Sequence, residues 1–251
     1  MTDPVFIAVI PARFQSSRLP GKMLLDLAGQ PMILRVAERV RQSGASAVYV
    51  ATDNDQIRNV CADAGVNVCM THPAHQSGTD RIAEVTYQLD LPDEALIVNV
   101  QGDEPLIPPA VIDQVARNLA QRPEVGICTL YADIHDGAEF RNANAVKLVT
   151  DEAGNVLYFS RAPIPWPRDG HVAGQPYGKR HIGIYGYRAR VLRQFVQWPP
   201  SALEQTEKLE QLRAMEHGVR IHAERCQQTI PPGVDTAEDL EHVRRLLTAV
   251  K

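Results

Sequence analysis

Three cationic side chains, Arg13, Arg18 and Lys22, crowd the segment PARFQSSRLPGK, directly after the apolar, β-branched run Val5–Ile10. Such a run reads as a buried strand, and the carboxyl end of a strand is where open α/β sheets take their ligands. Three cations at that place suit a polyphosphate better than a monovalent anion. The competing reading is a solvated surface loop, since exposed Arg and Lys are common, but the position at a strand end favours the anion. Two phosphate-binding loops are excluded by their own requirements. A dinucleotide loop needs GxGxxG, whereas Gly21 is the one glycine between Pro11 and Gly29. A GxxxxGK[ST] loop fails because Gly21-Lys22 is followed by Met23.

A second acidic and polar group lies in NVQGDEP, behind the apolar run Ala95–Val100, so Gln101, Asp103 and Glu104 emerge at the same sheet edge as the cations. A carboxylate facing a polyphosphate implies magnesium, which prefers one or two carboxylates with phosphate oxygens and water. Asp103 is the expected first ligand and Asp235, in GVDTAEDLE, the second. On residues alone each has an ordinary alternative: Asp103 as a turn residue before Pro105, and Asp235 with Glu238 as a capping box opening the last helix. In SGTDR, the small residues Ser77, Gly78 and Thr79 precede a helix and suit a loop whose backbone meets a flat base edge. Asp80 and Arg81 could bond a ribose or cap that helix, and without further information capping is the stronger reading.

The elements that must position these groups follow from hydrophobic periodicity. Strands are expected at Val5–Ile10, Ala47–Ala51, Val66–Met70, Ala95–Val100 and Val125–Thr129. Helices are expected from Pro31 to a stop at Gly44, from Asp55 to Ala64, from Asp80 to Leu89 and from Pro109 to Arg122. This alternation predicts a three-layer, doubly wound α/β sandwich with a mostly parallel sheet buried on both faces. From about residue 131 the pattern changes to a hairpin, Ala145–Thr150 and Asn155–Phe159, turning at Asp151–Gly154. A proline-rich stretch from Pro163 to Pro176 and the strand Arg180–Arg188 follow. The 131–190 region is too thin to own a core, so it is expected to flank the site, pack against a second subunit, or both. A long helix after Ser201, a strand at Arg220–Glu224 and a helix from about Thr236 close the chain, read as one domain over 1–251.

Composition narrows the classes. With 26 basic and 30 acidic residues the net charge is −4, which disfavours nonspecific nucleic-acid binding. The start, MTDPVFIAVI, lacks the cationic region and apolar length of a signal peptide, and nowhere do apolar residues run long enough for a membrane helix. The expectation is a cytoplasmic chain with no membrane partner. Cys61, Cys69, Cys128 and Cys226 form no CxxC pair, which argues for reduced, partly buried thiols.

The segment IPARFQSSRLPGKMLLDLAGQPMI resembles the opening of the nucleotidyltransferases that activate sugars, in particular the cytidylyltransferases of 3-deoxy-manno-octulosonate (Kdo). HQSGTDRIAE, NVQGDEPLI, YFSRAPIP, HIGIYGYR, LEQTEKLEQLRAMEHG and GVDTAEDLE resemble further blocks of that family, in order, along nearly the whole chain. The resemblance implies transfer of CMP from CTP to the acid sugar for lipopolysaccharide assembly, with Mg²⁺ as cofactor and a homodimer formed through the inserted region. It implies metal binding by Asp103 and Asp235, and phosphate binding by Arg13, Arg18 and Lys22. The catalytic set is then Arg13, Lys22, Asp103 and Asp235, with Ser77, Thr79, Arg81 and Gln101 at the nucleotide. An acid-sugar acceptor calls for an arginine and short polar groups, for which Arg161, Gln101, His181 and Tyr185 are candidates. On the expected long helix Glu207, Glu210 and Gln211 share a face; a solvated face is the alternative, and the resemblance singles out Glu210 and Gln211. Sialic acid synthetases differ in an asparagine soon after their lysine and lack the RLPGK run. An 8-amino analogue of the octulosonate, a non-catalytic nucleotide-binding protein and a dehydrogenase are the remaining alternatives.

Overall fold

The computed structural model describes residues 3–14 and 19–249. Its strands are β1 (Phe6–Ala12), β2 (Ala47–Thr52), β3 (Asn67–Met70), β4 (Leu96–Asn99), β5 (Ile127–Ile134), β6 (Lys147–Thr150), β7 (Val156–Ser160), β8 (Gly178–Arg188) and β9 (Ile221–Arg225). Among the described residues they form one sheet, with neighbours in the order β3-β2-β1-β4-β8-β5-β9 and β6 and β7 attached through β8. β1 pairs in parallel with both β2 and β4, and β5 with β9. β8 runs against both its neighbours, β4 and β5. The sheet is therefore the expected mostly parallel one, with a returning strand set into its middle.

Helices cover both faces, which is why the strands read as continuous apolar runs rather than alternating ones. On one face α1 (Met32–Arg41), α2 (Asp55–Asp63), α4 (Pro109–Ala120) and α9 (Ala237–Ala249) pack over Ala8, Ile10, Val98 and Val100. On the other, α3 (Gly78–Gln88), α6 (Ala189–Phe195) and α8 (Gln211–Glu216) pack over Val9, Ile97 and Ile127. Met32, Ile33, Val36, Ala37 and Val40 of α1 are all buried, the stripe that a period of 3.6 lays along one side. α2 opens on Asn54, whose side chain accepts from the amides of Gln56 and Ile57, and closes at Gly65, whose φ of 66° suits glycine.

Sequence expectation and structure part at three places. α5 (Gly137–Arg141), capped by Asp136, and α6 are short helices that periodicity does not reveal. β8 is no appendage, since it lies between β4 and β5, and Leu148, Val156 and Phe159 of the hairpin are buried in the same core as α3. The long helix after Ser201 is instead two short ones, α7 (Ala202–Glu207) and α8, separated by Lys208 at φ 54°. The cause is Arg161, whose guanidinium donates to the carbonyls of Glu207 (2.6 Å) and Lys208 (3.4 Å), acceptors that a continuous helix would use itself.

Cys61, Cys69 and Cys128 are buried and Cys226 is half-buried, all as free thiols. Burial pushes the Cys61 thiol up to about 11 and raises Cys69 and Cys128 as well, so none is a poised nucleophile.

Candidate active site

The loop after β1 returns to the sheet at Gly21, whose φ of 66° lets its amide reach the carbonyl of Phe14 at 3.3 Å. Lys22 then starts a single 3-10 turn, Lys22–Leu24, with its side chain turned inward and 6% exposed. Its ammonium donates to Asp103 Oδ2 at 2.7 Å, to the Val234 carbonyl at 2.9 Å and to Asp235 Oδ1 at 3.3 Å. Three distant segments of the chain thus meet on one cation. Arg13 stands exposed just past β1, while Arg18 lies outside the described residues.

Two glycines permit the convergence. A Cβ on Gly102 would lie 3.0 Å from the Pro11 carbonyl and 3.0 Å from Met23 Sδ, so only glycine lets the turn after β4 press on the loop after β1. A Cβ on Gly233 would lie 3.1 Å from the Asp103 carbonyl, and that carbonyl accepts from the Val234 amide at 2.8 Å. The segment before α9 is in this way strapped to the turn that carries Asp103. The capping alternative for Asp235 does not hold, because the neighbouring residue takes that task. Thr236 Oγ1 accepts from the Asp239 amide at 3.2 Å, and Asp239 accepts from the Thr236 amide at 2.8 Å.

The SGTDR block divides between framework and cleft. Ser77 caps α3 in a reciprocal box with Asp80, the capping expected for Asp80. Arg81 is enclosed: its side chain is 1% exposed and donates to Thr71 Oγ1 (2.8 Å) and Asp53 Oδ2 (2.6 Å), while its Nε is buried without a partner. It ties the start of α3 to the residues that follow β2 and β3. Thr79 is buried and donates to Glu210 Oε2 at 2.9 Å.

Glu210 and Glu207, expected on one helical face, serve different places because Lys208 breaks the helix between them. The Glu207 carboxylate accepts from Ser160 Oγ (2.6 Å) and the Arg161 amide (2.9 Å). Burial raises the Glu210 carboxyl above its ordinary range, opposed by hydrogen bonds from Ser77 and Thr79. Gln211, at the first turn of α8, has its amide nitrogen enclosed with no partner. Besides Glu207 and Lys208, the Arg161 guanidinium donates to the Ala143 carbonyl at 3.0 Å, which leaves two of its five N–H groups outside these bonds. Beside it, the fully buried Lys147 donates to the carbonyls of Asn142, Ala145 and Arg161.

Gln101 opens the turn after β4 and is partly exposed. Where β8 runs on past the end of β4, His181 and Tyr185 lie side by side, ring centroids 5.3 Å apart. The strand at His181 borders a cavity of about 450 Å³ whose wall includes Glu104, Gly183 and Gly233. Burial lowers His181 to about 3, so the imidazole is neutral. Thr129, Asn99 and Tyr187, which surround His181 and Glu210, were not anticipated; a lone threonine in the run VGICTL was the available signal for the first.

A buried lysine and two carboxylates at the carboxyl edge of a doubly wound sheet define a nucleotide-transferring α/β protein. The cytidylyltransferase family model matches residues 7–221. The chain is 53% identical to the 3-deoxy-manno-octulosonate cytidylyltransferase of Actinobacillus succinogenes, over 97% of this chain and 98% of that one. It is 52% identical to the enzyme of that name from Pasteurella multocida, over 96% and 98%. A solved structure of CMP:2-keto-3-deoxy-manno-octonic acid synthetase complexed with CTP superposes with a TM-score of 0.91 at 40% identity, covering 99% of this chain and all of that one. A 4-diphosphocytidyl-2C-methyl-D-erythritol synthase, 13% identical with a TM-score of 0.63, shares the fold. The chain belongs to the 3-deoxy-manno-octulosonate cytidylyltransferase family.

Proposed function

We propose that this protein transfers CMP from CTP to 3-deoxy-D-manno-octulosonate, releasing pyrophosphate and supplying the activated sugar for lipopolysaccharide assembly. The observation that carries the reading is the meeting of Lys22, Asp103 and Asp235 at one point, in a chain matched end to end by relatives of that name. In the reaction the anomeric hydroxyl attacks the α-phosphorus in line. One oxygen–phosphorus bond forms, the bond to the β-phosphate oxygen breaks, and the hydroxyl proton passes to solvent.

A sugar hydroxyl is a weak nucleophile, so positioning and charge neutralisation carry the catalysis. Arg13, Arg18 and Lys22 hold the β- and γ-phosphates and offset the charge that builds on the leaving pyrophosphate. Ser77, Thr79 and Gln101 line the nucleotide side, while His181, Tyr185, Glu210 and Gln211 line the acceptor side. Asp103 and Asp235 fit magnesium. Both already aim carboxylate oxygens at one cation, the Lys22 ammonium, and among the described residues no third acidic or histidine ligand gathers there, which leaves the other positions to phosphate oxygens and water. When bound, the ion supplies Lewis acidity that lowers the acceptor hydroxyl pKa and screens the α-phosphate.

The working unit is a homodimer through the inserted region, a reading supported by the exposure of Leu157, Trp166 and Val172 at 61%, 69% and 66%. A cytoplasmic location is proposed on the biosynthetic name of the relatives; among the described residues no helix is long and apolar enough to cross a membrane.

Pyrophosphate release tests the assignment, with Mg²⁺, CTP and Kdo run beside ATP, GTP, UTP, sialic acid and the 8-amino analogue. Release with CTP and Kdo alone is the expected result. Turnover with another acid sugar would move the acceptor, and silence throughout would leave a nucleotide-binding protein.

A further inference from the structure

Thr129 lies where the β5–β8 ladder slips register, between Thr129 and Leu130, and it is fully buried. Its hydroxyl oxygen has three polar neighbours: the carbonyl of Ile184 at 2.8 Å, the carbonyl of Ile182 at 3.0 Å and His181 Nε2 at 3.0 Å. A hydroxyl has one proton, and carbonyl oxygens can only accept. If that proton went to His181, two carbonyl oxygens would press on the hydroxyl lone pairs with no hydrogen between them, inside a dry strand pair. The proton therefore goes to the carbonyls, and the bond to the imidazole must run the other way, from Nε2–H to Oγ1.

We infer that Thr129 is a positioning residue that locks His181 in the Nε2–H tautomer and so leaves Nδ1 as a hydrogen-bond acceptor for a hydroxyl of the acceptor sugar. Three further observations agree. Nδ1 has no partner among the described residues, the ring lies on the same face of the sheet as Tyr131 and Tyr185, and Phe159 at 5.0 Å and Tyr185 at 5.3 Å hold the ring in place. Burial keeps the imidazole neutral, so it cannot act as a cation for the sugar carboxylate. The register slip has a physical purpose in this arrangement. It turns two carbonyls of β8, those of Ile182 and Ile184, toward one hydroxyl and thereby decides which way the hydroxyl faces. The inference rests on the reading that His181 belongs to the acceptor side of the cleft.

Nitrogen-15 NMR of the histidine rings in the full-length protein reads the tautomer directly, with His181 assigned by comparison with His181→Asn. Wild type and Thr129→Ser should both show a protonated Nε2 and an unprotonated Nδ1. Thr129→Val, nearly isosteric but without the hydroxyl, should lose the single tautomer and raise the KM for the acceptor about tenfold, with the KM for CTP unchanged. Thr129→Ser should restore it. A protonated Nδ1 in the wild type overturns the inference whether or not any variant folds. An unchanged acceptor KM in folded Thr129→Val overturns the positioning role. If the tautomer is as stated but His181→Asn leaves the acceptor KM untouched, it is the placing of His181 at the acceptor that has failed.

Discussion

Replacing Lys22 by methionine keeps the length of the side chain and removes its charge, and the structure fixes what should follow. The ammonium is 6% exposed and donates to two carboxylates and one carbonyl. Removing one preorganised contact to transition-state charge costs about 3–4 kcal/mol, so turnover should fall by about two to three orders of magnitude. Stability changes less. The carboxylates are 32% and 48% exposed, so solvent already screens their outer sides, and the net loss should be about 1–2 kcal/mol. For a chain of this size that is a fall in Tm of about 2–8 °C. The two carboxylates then lack the lysine's charge, and Mg²⁺ added without CTP should raise the Tm of Lys22→Met more than that of wild type. Asp103→Asn in the Lys22→Met background should remove that difference, since it deletes one of the two ligands. Pyrophosphate release and thermal melting with and without Mg²⁺ are the assays. Turnover near wild type would remove Lys22 from the mechanism, and equal Mg²⁺ responses would refute the shared cation position.

His181 takes up a proton on acid unfolding: its folded pKa of about 3 lies below the ordinary histidine value, so between about pH 6.5 and 3 the unfolded chain binds more protons and stability falls with pH. Chemical denaturation of His181→Asn across that window should show a slope smaller by about 1.4 kcal/mol per pH unit at most, and an unchanged slope would mean the ring titrates normally. Gly102→Ala forces a methyl group against the Pro11 carbonyl and should cost about 1–3 kcal/mol while displacing Asp103, measured as a lower Tm together with a weaker Mg²⁺ requirement profile; wild-type values for both would contradict the close approach. Arg161→Lys keeps the charge and loses the fork that ends α7, so the acceptor KM should rise with little change for CTP. Steady-state kinetics with each substrate varied checks this, and equal effects on both would show that the clamp supports the whole cleft.

In the proposed reaction the two substrates draw on different parts of the fold, so the tests are expected to separate them. The proposed phosphate side comes from β1, β4 and the strap before α9, at the parallel part of the sheet. The proposed acceptor side comes from β8, which runs antiparallel to β4, and from the α7–α8 junction, where Arg161 binds the main chain.

Periodicity and strand-end chemistry made the parallel half legible before any coordinates. The apolar runs that became β1 and β4 are local patterns, and Lys22 and Asp103 follow them by a few residues, so a linear reading placed both at one edge. The order of the blocks added the acceptor class. What no linear pattern could decide was which polar groups would find partners inside the protein. Arg81 and Arg161 look like ligand-binding arginines in the sequence, yet folding gives each its partners from other elements, Asp53 and Thr71 for one and main-chain carbonyls for the other. The same holds for the helix that breaks at Lys208, for Thr236 taking the cap that Asp235 could have taken, and for Thr129 meeting His181 across a slipped register. Helix and strand preferences are properties of neighbours along the chain. The hydrogen-bond accounts of buried polar groups close only across the packed core, and that balance is set by tertiary structure.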